Sequence, residues 1–406
     1  MEAKQQTFFW ERWRAVSTGI IETASFTFLL LIAVRWYQAG ALAKSLIAGG
    51  ASVGLLLSPW ILHLVQQSRL TASKAAARLA WIGAASFAVM AVAPSLAVFT
   101  IGSVAALATL GGMAPLATQI YQENYPARER GSLFSRTVVI RIAVAALFAE
   151  TAGRALSGGR IHHFPILLGV FAAAFAFAAF CFTRCPSSPL KSDEGTHPFR
   201  SLRYARTDAL FRRLLICWMI FGVGNLMTLP LRVEYAANPK YGFDLSVSVV
   251  AIVTAVVPNL ARLVSSRLWG RLFDRINFFT LRAIVNTALA TGIVIYFSSR
   301  SLSGLVLGAT VFGMAASGGE VMWSLWVTKF APPERAADYM SVHTFFTGIR
   351  GLLSPFLGFL LVGILPMQTL GWISGGMIIA SIFLLAGKIR DGERALDMRT
   401  RAAQEC

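Results

Sequence analysis

The sequence predicts an all-α membrane protein of twelve transmembrane helices in two pseudo-symmetric six-helix bundles. Three observations carry that expectation: long apolar stretches almost free of charge, a lopsided placing of lysine and arginine among the loops, and short motifs that recur half a chain apart. Of the 406 residues, 56% are hydrophobic and only 14% charged, against roughly 45–50% and about 25% in soluble domains. The excess is concentrated. Residues 163–182, for example, hold no acidic or basic residue except His163. About 20 such residues span a hydrocarbon core of roughly 30 Å as a helix, and lipid leaves the backbone no other way to pair its polar groups within one segment.

In chain order the apolar stretches place spans at 13–35, 42–66, 75–94, 96–122, 133–156 and 163–183. The first is no cleavable signal peptide, because the apolar run from Ala15 to Val34 is too long and lacks a small-residue cleavage site. Residues 184–210 follow, rich in proline, serine and charge and too poor in apolar residues to span or to pack a core. Six more spans come after them, at 211–233, 245–266, 278–298, 301–328, 338–365 and 369–387. The chain thus divides into an N-terminal half (1–183), a cytoplasmic linker (184–210), expected to be partly ordered along the membrane surface, and a C-terminal half (211–406).

Charge orients these spans. With both termini cytoplasmic, 27 of the 37 lysines and arginines fall on the inside, seven on the outside (Arg35, Lys44, Arg154, Arg160, Arg232, Lys240, Arg300) and three within spans. Cytoplasmic loops carry that excess in multi-pass proteins. The net charge of +18 therefore faces anionic lipid head groups, and no nucleic-acid partner is expected. The location expected is the inner (plasma) membrane. Cys181, Cys185, Cys217 and Cys406 lie at or near segment ends or the terminus with no second pair to complete a zinc site, so they read as reduced and structural, and no metal is expected.

An internal repeat turns the count into an architecture. Residues 108–115 read ATLGGMAP and residues 315–322 read AASGGEVM, so Gly111-Gly112 matches Gly318-Gly319. Glu129-Arg130 and Glu334-Arg335 are 205 positions apart, as are Gly153 and Gly358, and half the chain is 203 residues. The Gly-Gly pairs read either as small residues for close helix packing or as interruptions of the central helices near a site.

With its six-plus-six spans, long central loop and basic loop motif, the chain resembles the major facilitator superfamily. Gly270-Arg-Leu-Phe-Asp274-Arg275, with Arg282 further on, is similar to that family's signature after span eight, whereas Gln66 to Arg78 keeps only the basic residues after span two. The resemblance implies a substrate site near the midplane between the halves and alternating access by rocking one half on the other. It also implies that Gly270, Asp274 and Arg275, with the Glu129-Arg130 and Glu334-Arg335 pairs, latch the cytoplasmic ends. The plainer reading of the arginines is as positive-inside anchors.

An ionisable group at the bilayer centre costs at least about 2.5–3.5 kcal/mol, so each such group needs a reason. Counting from the nearest boundary charge, Glu22, Arg141, Glu320 and Arg350 are midplane candidates. One reading sets Arg141 and Arg350 facing each other around an anionic or polyhydroxy solute, joined by Trp323 and Asn225, with Glu22, Glu320 or His343 handling a proton. The other has the two arginines and two glutamates neutralise one another and only hold helices together. Arg262, five residues from Arg267, is expected to snorkel to the cytoplasmic surface, with a place in the cavity or a gate as the alternatives. Glu150 and Arg154 read as a local pair or outer gate.

No phosphate-binding loop points to a pump, and no H-E-x-x-H or G-x-S-x-G cluster points to an enzyme. The expectation is a monomeric, cofactor-free, proton-coupled carrier of a small polar solute such as an organic anion or sugar. An efflux carrier or a receptor of the same fold is the alternative.

Overall fold

Twelve long helices make up most of the computed structural model, which describes residues 3–93, 95–126, 130–189, 200–243, 245–275, 277–330 and 336–384. They are α1 (Ala3–Arg35), α2 (Ala41–Gln67), α3 (Ala72–Val92), α4 (Leu96–Asn124), α5 (Arg130–Ala155) and α6 (Phe164–Thr183), then α7 (Ala209–Ala237), α8 (residues 247–275), α9 (Phe278–Ser298), α10 (Leu302–Phe330), α11 (Ala336–Leu361) and α12 (Met367–Phe383). Side chains start several of them. Thr71, Ser95, Asp208 and Ser246 each accept from the backbone N–H three residues on, and Asn277 from the N–H two on, satisfying donors that the first turn leaves open. Ten of the helices are long and apolar enough to cross a membrane by composition alone. The other two are α5, loaded with Arg136, Arg141, Glu150 and Arg154, and α12, which is 17 residues long.

The helices pack as two bundles with the same internal plan. In the first, α1 lies against α5 and α6, α2 against α4, and α3 against α4 and α6; in the second, α7 lies against α11 and α12, α8 against α10, and α9 against α10 and α12. Adding six to each number maps one pattern onto the other. The bundles meet along α2–α11 and α5–α8, two seams that the same operation exchanges. Large apolar side chains such as Ile101, Ile166, Leu360 and Trp372 remain more than half exposed on the perimeter, as lipid-facing surface does. Aromatic rings pack in the interiors, tilted or edge-on, with Phe87 5.4 Å from Phe171 and Tyr296 5.3 Å from Phe297.

Several expectations need correction. Both α4 and α10 run unbroken past their glycine pairs. Gly111 packs against the α2 backbone at Ala51 and Leu55, and a Cβ at Gly318 would sit 2.9 Å from Trp269, whereas Gly319 faces open space, so Gly111 and Gly318 serve close packing. Helix α8 runs through Gly270 to Arg275. The side chains of Arg130, Gly270, Asp274 and Arg275 and the whole of Glu129, Glu334 and Arg335 lie outside the described residues, so the cytoplasmic latch is not placed. Many of the cations counted with the loops belong to helices, among them Lys44 in α2, Arg232 in α7 and Arg282 in α9. Two hydrogen bonds hold the start of the linker against α4. Asn124 donates to the carbonyl of Pro186 at 2.7 Å, and the Ser188 N–H donates to Glu123 at 3.0 Å.

Candidate functional site

Glu22 on α1, Arg141 on α5, Arg262 on α8 and Glu320 on α10 converge near the middle of their helices. They close a ring in which acid and base alternate. Arg262 donates to Glu22 at 2.8 Å and to Glu320 at 2.9 Å. Arg141 donates to Glu320 at 2.9 Å, and its Nε lies 3.1 Å from Glu22, an ion pair by distance that lacks hydrogen-bond direction. Asn259 accepts a further bond from Arg262 at 2.8 Å. Each bundle contributes one glutamate and one arginine. Two ion pairs therefore cross between the bundles and two stay within them, and the ring is neutral as a whole and within each half.

The ring is only partly covered. Side-chain exposure is 11% for Glu22, 16% for Arg262, 24% for Arg141 and 38% for Glu320, so Glu320 is its most accessible member. Its position follows from local structure. A Cβ on Gly19 would lie 2.6 Å from the carbonyl oxygen of Arg141, so the glycine lets α1 and α5 touch one turn from Glu22. Beyond the ring, α1 and α8 each hold a five-residue π-helical stretch, Ala24–Phe28 and Ile252–Val256. The two face each other across the bundle interface, with the Thr27 and Thr254 hydroxyls 3.4 Å apart. Such stretches are rare and cluster at functional sites.

On the far side of the π stretches the bundles are tied together. Lys44 meets Glu234, which is 1% exposed, at 2.8 Å; its ammonium also sits 5.0 Å from the Phe359 ring, and Asn238 donates to the same carboxylate at 2.9 Å. Arg35 donates to the carbonyl of Leu245 at 2.8 Å, and the Ser248 N–H donates to Ser157 Oγ at 2.9 Å. The polar contacts between bundles that the structure describes all lie at the ring or on this side, the face carrying residues 36–40. That face is closed.

The remaining candidates are elsewhere. Arg350 does not face Arg141. It is buried within the second bundle, donates to the carbonyl of Trp218 and lies where a Cβ on Gly222 would be. His343 is buried beside it, with ring centroids 5.2 Å from Trp218 and 5.8 Å from Trp323. Asn225 on α7 is half-buried, and its Oδ1 is buried without a hydrogen-bond partner. Arg262 does not snorkel; the ring holds it. Glu150 and Arg154 form a local pair on α5 with Arg154 largely exposed. Among the described residues no three metal-ligating side chains gather, and Cys181, Cys185 and Cys217 are buried free thiols.

Charge position within each span found three of the four ring residues and misjudged Arg262, whose nearness to Arg267 suggested a route to the surface. Lys44 and Glu234 were missed because both stand near segment ends. Periodicity within a span does not reveal contact between halves.

Comparison with known proteins agrees with the architecture. The sequence profile of the Major Facilitator Superfamily matches residues 69–355. Among solved structures, the nucleoside transporter NupG superposes with a TM-score of 0.72 at 15% identity, covering 95% of this chain and 99% of that one. The human organic anion transporter MFSD10 gives 0.64 at 17% identity, covering 94% and 98%. The xylose transporter XylE from E. coli, in a partially occluded inward-open conformation, gives 0.63 at 14% identity, covering 95% of each. No curated protein matches the chain in sequence.

Proposed function

The chain belongs to the major facilitator superfamily, and from that premise we propose that it is a proton-coupled secondary transporter moving a small polar solute, an organic anion or sugar-like molecule, across the inner membrane by alternating access. The observation that carries the reading is the Glu22–Arg141–Glu320–Arg262 ring spanning the two bundles.

The ring supplies both halves of the chemistry such transport needs. Its two guanidinium groups offer planar forks of donors, suited to a carboxylate or to adjacent hydroxyls. A solute bearing such groups competes with Glu22 and Glu320 for Arg141 and Arg262. When one bundle rocks on the other, the Arg141–Glu320 and Arg262–Glu22 pairs break. The Arg141–Glu22 and Arg262–Glu320 pairs survive, so neither half carries an isolated charge through the low-dielectric interior. A proton arriving at Glu320 weakens its hold on both arginines at once and frees Arg141 for solute. This ties proton uptake to ring opening. The neutral sum disfavours selection for cations. With the termini cytoplasmic, the closed face at residues 36–40 is external.

The test is uptake into proteoliposomes over a panel of organic acids, sugars and nucleosides, with and without an inward-directed proton gradient. Arg141→Gln and Arg262→Gln are expected to abolish gradient-driven uptake. Full uptake by both variants, with only a lowered unfolding temperature, would mean that the ring merely holds helices together.

A further inference from the structure

The second bundle contains a concentration of positive charge that the ring does not explain. Arg282 on α9 is 1% exposed, and none of its three guanidinium nitrogens has a hydrogen-bond partner. Its Cζ sits 3.8 Å from the ring centroid of Trp218 and 5.8 Å from that of Phe221. Arg350 on α11 is 5% exposed; one nitrogen donates to the Trp218 carbonyl, its Nε has no partner, and its Cζ lies 5.7 Å from the same indole. His343 packs on that indole as well. No carboxylate among the described residues forms an ion pair with either arginine. The buried Glu11 is committed to Arg14 and Tyr121, Glu234 to Lys44, and Glu22 and Glu320 to the ring.

An arginine cannot shed its proton inside a protein. Burying one unpaired costs far more than stacking on an aromatic ring returns, and two beside each other repel. The arrangement is stable only with a negative partner, and the unpaired nitrogens are where that partner bonds. Guanidinium forks match the two-oxygen edge of a carboxylate or phosphate. Gly222 makes room for the Arg350 side chain itself, because any Cβ there would run into its guanidinium.

We propose that Arg282 and Arg350, seated on Trp218, form a binding site for a small oxyanion of the carboxylate or phosphate class inside the C-terminal bundle, separate from the interhelical ring. The site has one wall on each of α7, α9 and α11, so its occupant braces the bundle from within. It makes the positive charge of Arg282 a ligand-binding feature rather than a surface anchor.

The full-length protein in a neutral detergent is titrated with sodium phosphate against sodium chloride at matched ionic strength, following unfolding temperature and tryptophan fluorescence. The expected result is a saturable rise in unfolding temperature with phosphate and a fluorescence change that Trp218→Phe removes while the thermal response remains. Arg350→Gln raises the half-saturating concentration roughly tenfold or more, which corresponds to one lost charge-assisted contact. Arg282→Met, which removes the buried charge and keeps the bulk, is expected to fold and to lose the response. Arg141→Gln keeps it, so failure here and failure of the ring are distinguishable. Repeating the titration with phosphatidylglycerol in the micelles separates sources: a response to the lipid alone assigns the oxyanion to a head group. No response to phosphate or lipid beyond that to chloride, or equal responses in wild type, Arg282→Met and Arg350→Gln, would overturn the proposal.

Discussion

Replacing Lys44 with alanine is expected to open the face that carries residues 36–40. In the closed state the Lys44 ammonium lies 2.8 Å from a Glu234 carboxylate that is 1% exposed. Removing one partner of a buried pair leaves an uncompensated charge and costs about 3–5 kcal/mol. Asn238 still donates one bond to that carboxylate, and the other oxygen, Oε2, has no hydrogen-bond partner, so we take the lower end, about 3 kcal/mol. Losing the Phe359 contact adds about 0.5–1 kcal/mol. Opening hydrates Glu234, so nearly all of this penalty falls on the closed state. A shift of about 3.5–4 kcal/mol changes the closed-to-open ratio by roughly 400- to 900-fold. The assay is a pulsed electron-spin distance measurement between labels at His162→Cys and Ile364→Cys, both on exposed loops of this face, with Cys406→Ser to remove the terminal thiol. Wild type is expected to give one short distance and Lys44→Ala a dominant longer one. The double variant Lys44→Ala/Glu234→Gln removes both charges and returns most of the short distance. An unchanged distribution in Lys44→Ala would refute the assignment of this pair as what holds the face closed.

Gly19→Ala is expected to push α1 from α5, because its Cβ would lie 2.6 Å from the Arg141 carbonyl; overpacking of this kind costs about 1–3 kcal/mol, read as a lower unfolding temperature together with slowed uptake. Glu22→Gln should destabilise the protein more than Glu320→Gln, since Glu22 is 11% exposed and Glu320, at 38%, is screened by solvent; thermal unfolding of the two variants side by side checks the order. Burial and the nearby Glu11 push the Cys185 thiol well above its usual range. Because only the thiolate reacts, maleimide labelling of Cys185 in the folded protein should stay negligible up to about pH 9 and become fast once detergent unfolds the chain.

Much of the architecture was legible before any coordinates. Apolar length and the exclusion of charge place the helices, and the matched glycines and Glu-Arg pairs disclose a two-fold plan that the packing of α1–α6 and α7–α12 repeats. Depth along each span also brought Glu22, Arg141 and Glu320 together, since a charge far from both membrane faces must find a partner. What escaped was whatever depends on direction around a helix or on contact across the interface. Arg262 was judged by its distance to the surface, yet the face of α8 on which it stands, set in part by the π stretch before it, turns it toward the ring. Arg350 was placed at the right depth and in the wrong company for the same reason. Arg282 looked like the tail of a basic loop motif, and only burial against Trp218 distinguishes it from a surface anchor.

The most direct test of the ring as the coupling site is Glu320→Gln in proteoliposomes, comparing two modes for whichever solute the panel identifies. Exchange of labelled for unlabelled solute needs binding and rocking but no net proton movement, whereas accumulation under a proton gradient needs both. The account predicts that Glu320→Gln retains exchange and loses accumulation. Accumulation at the wild-type level would contradict it.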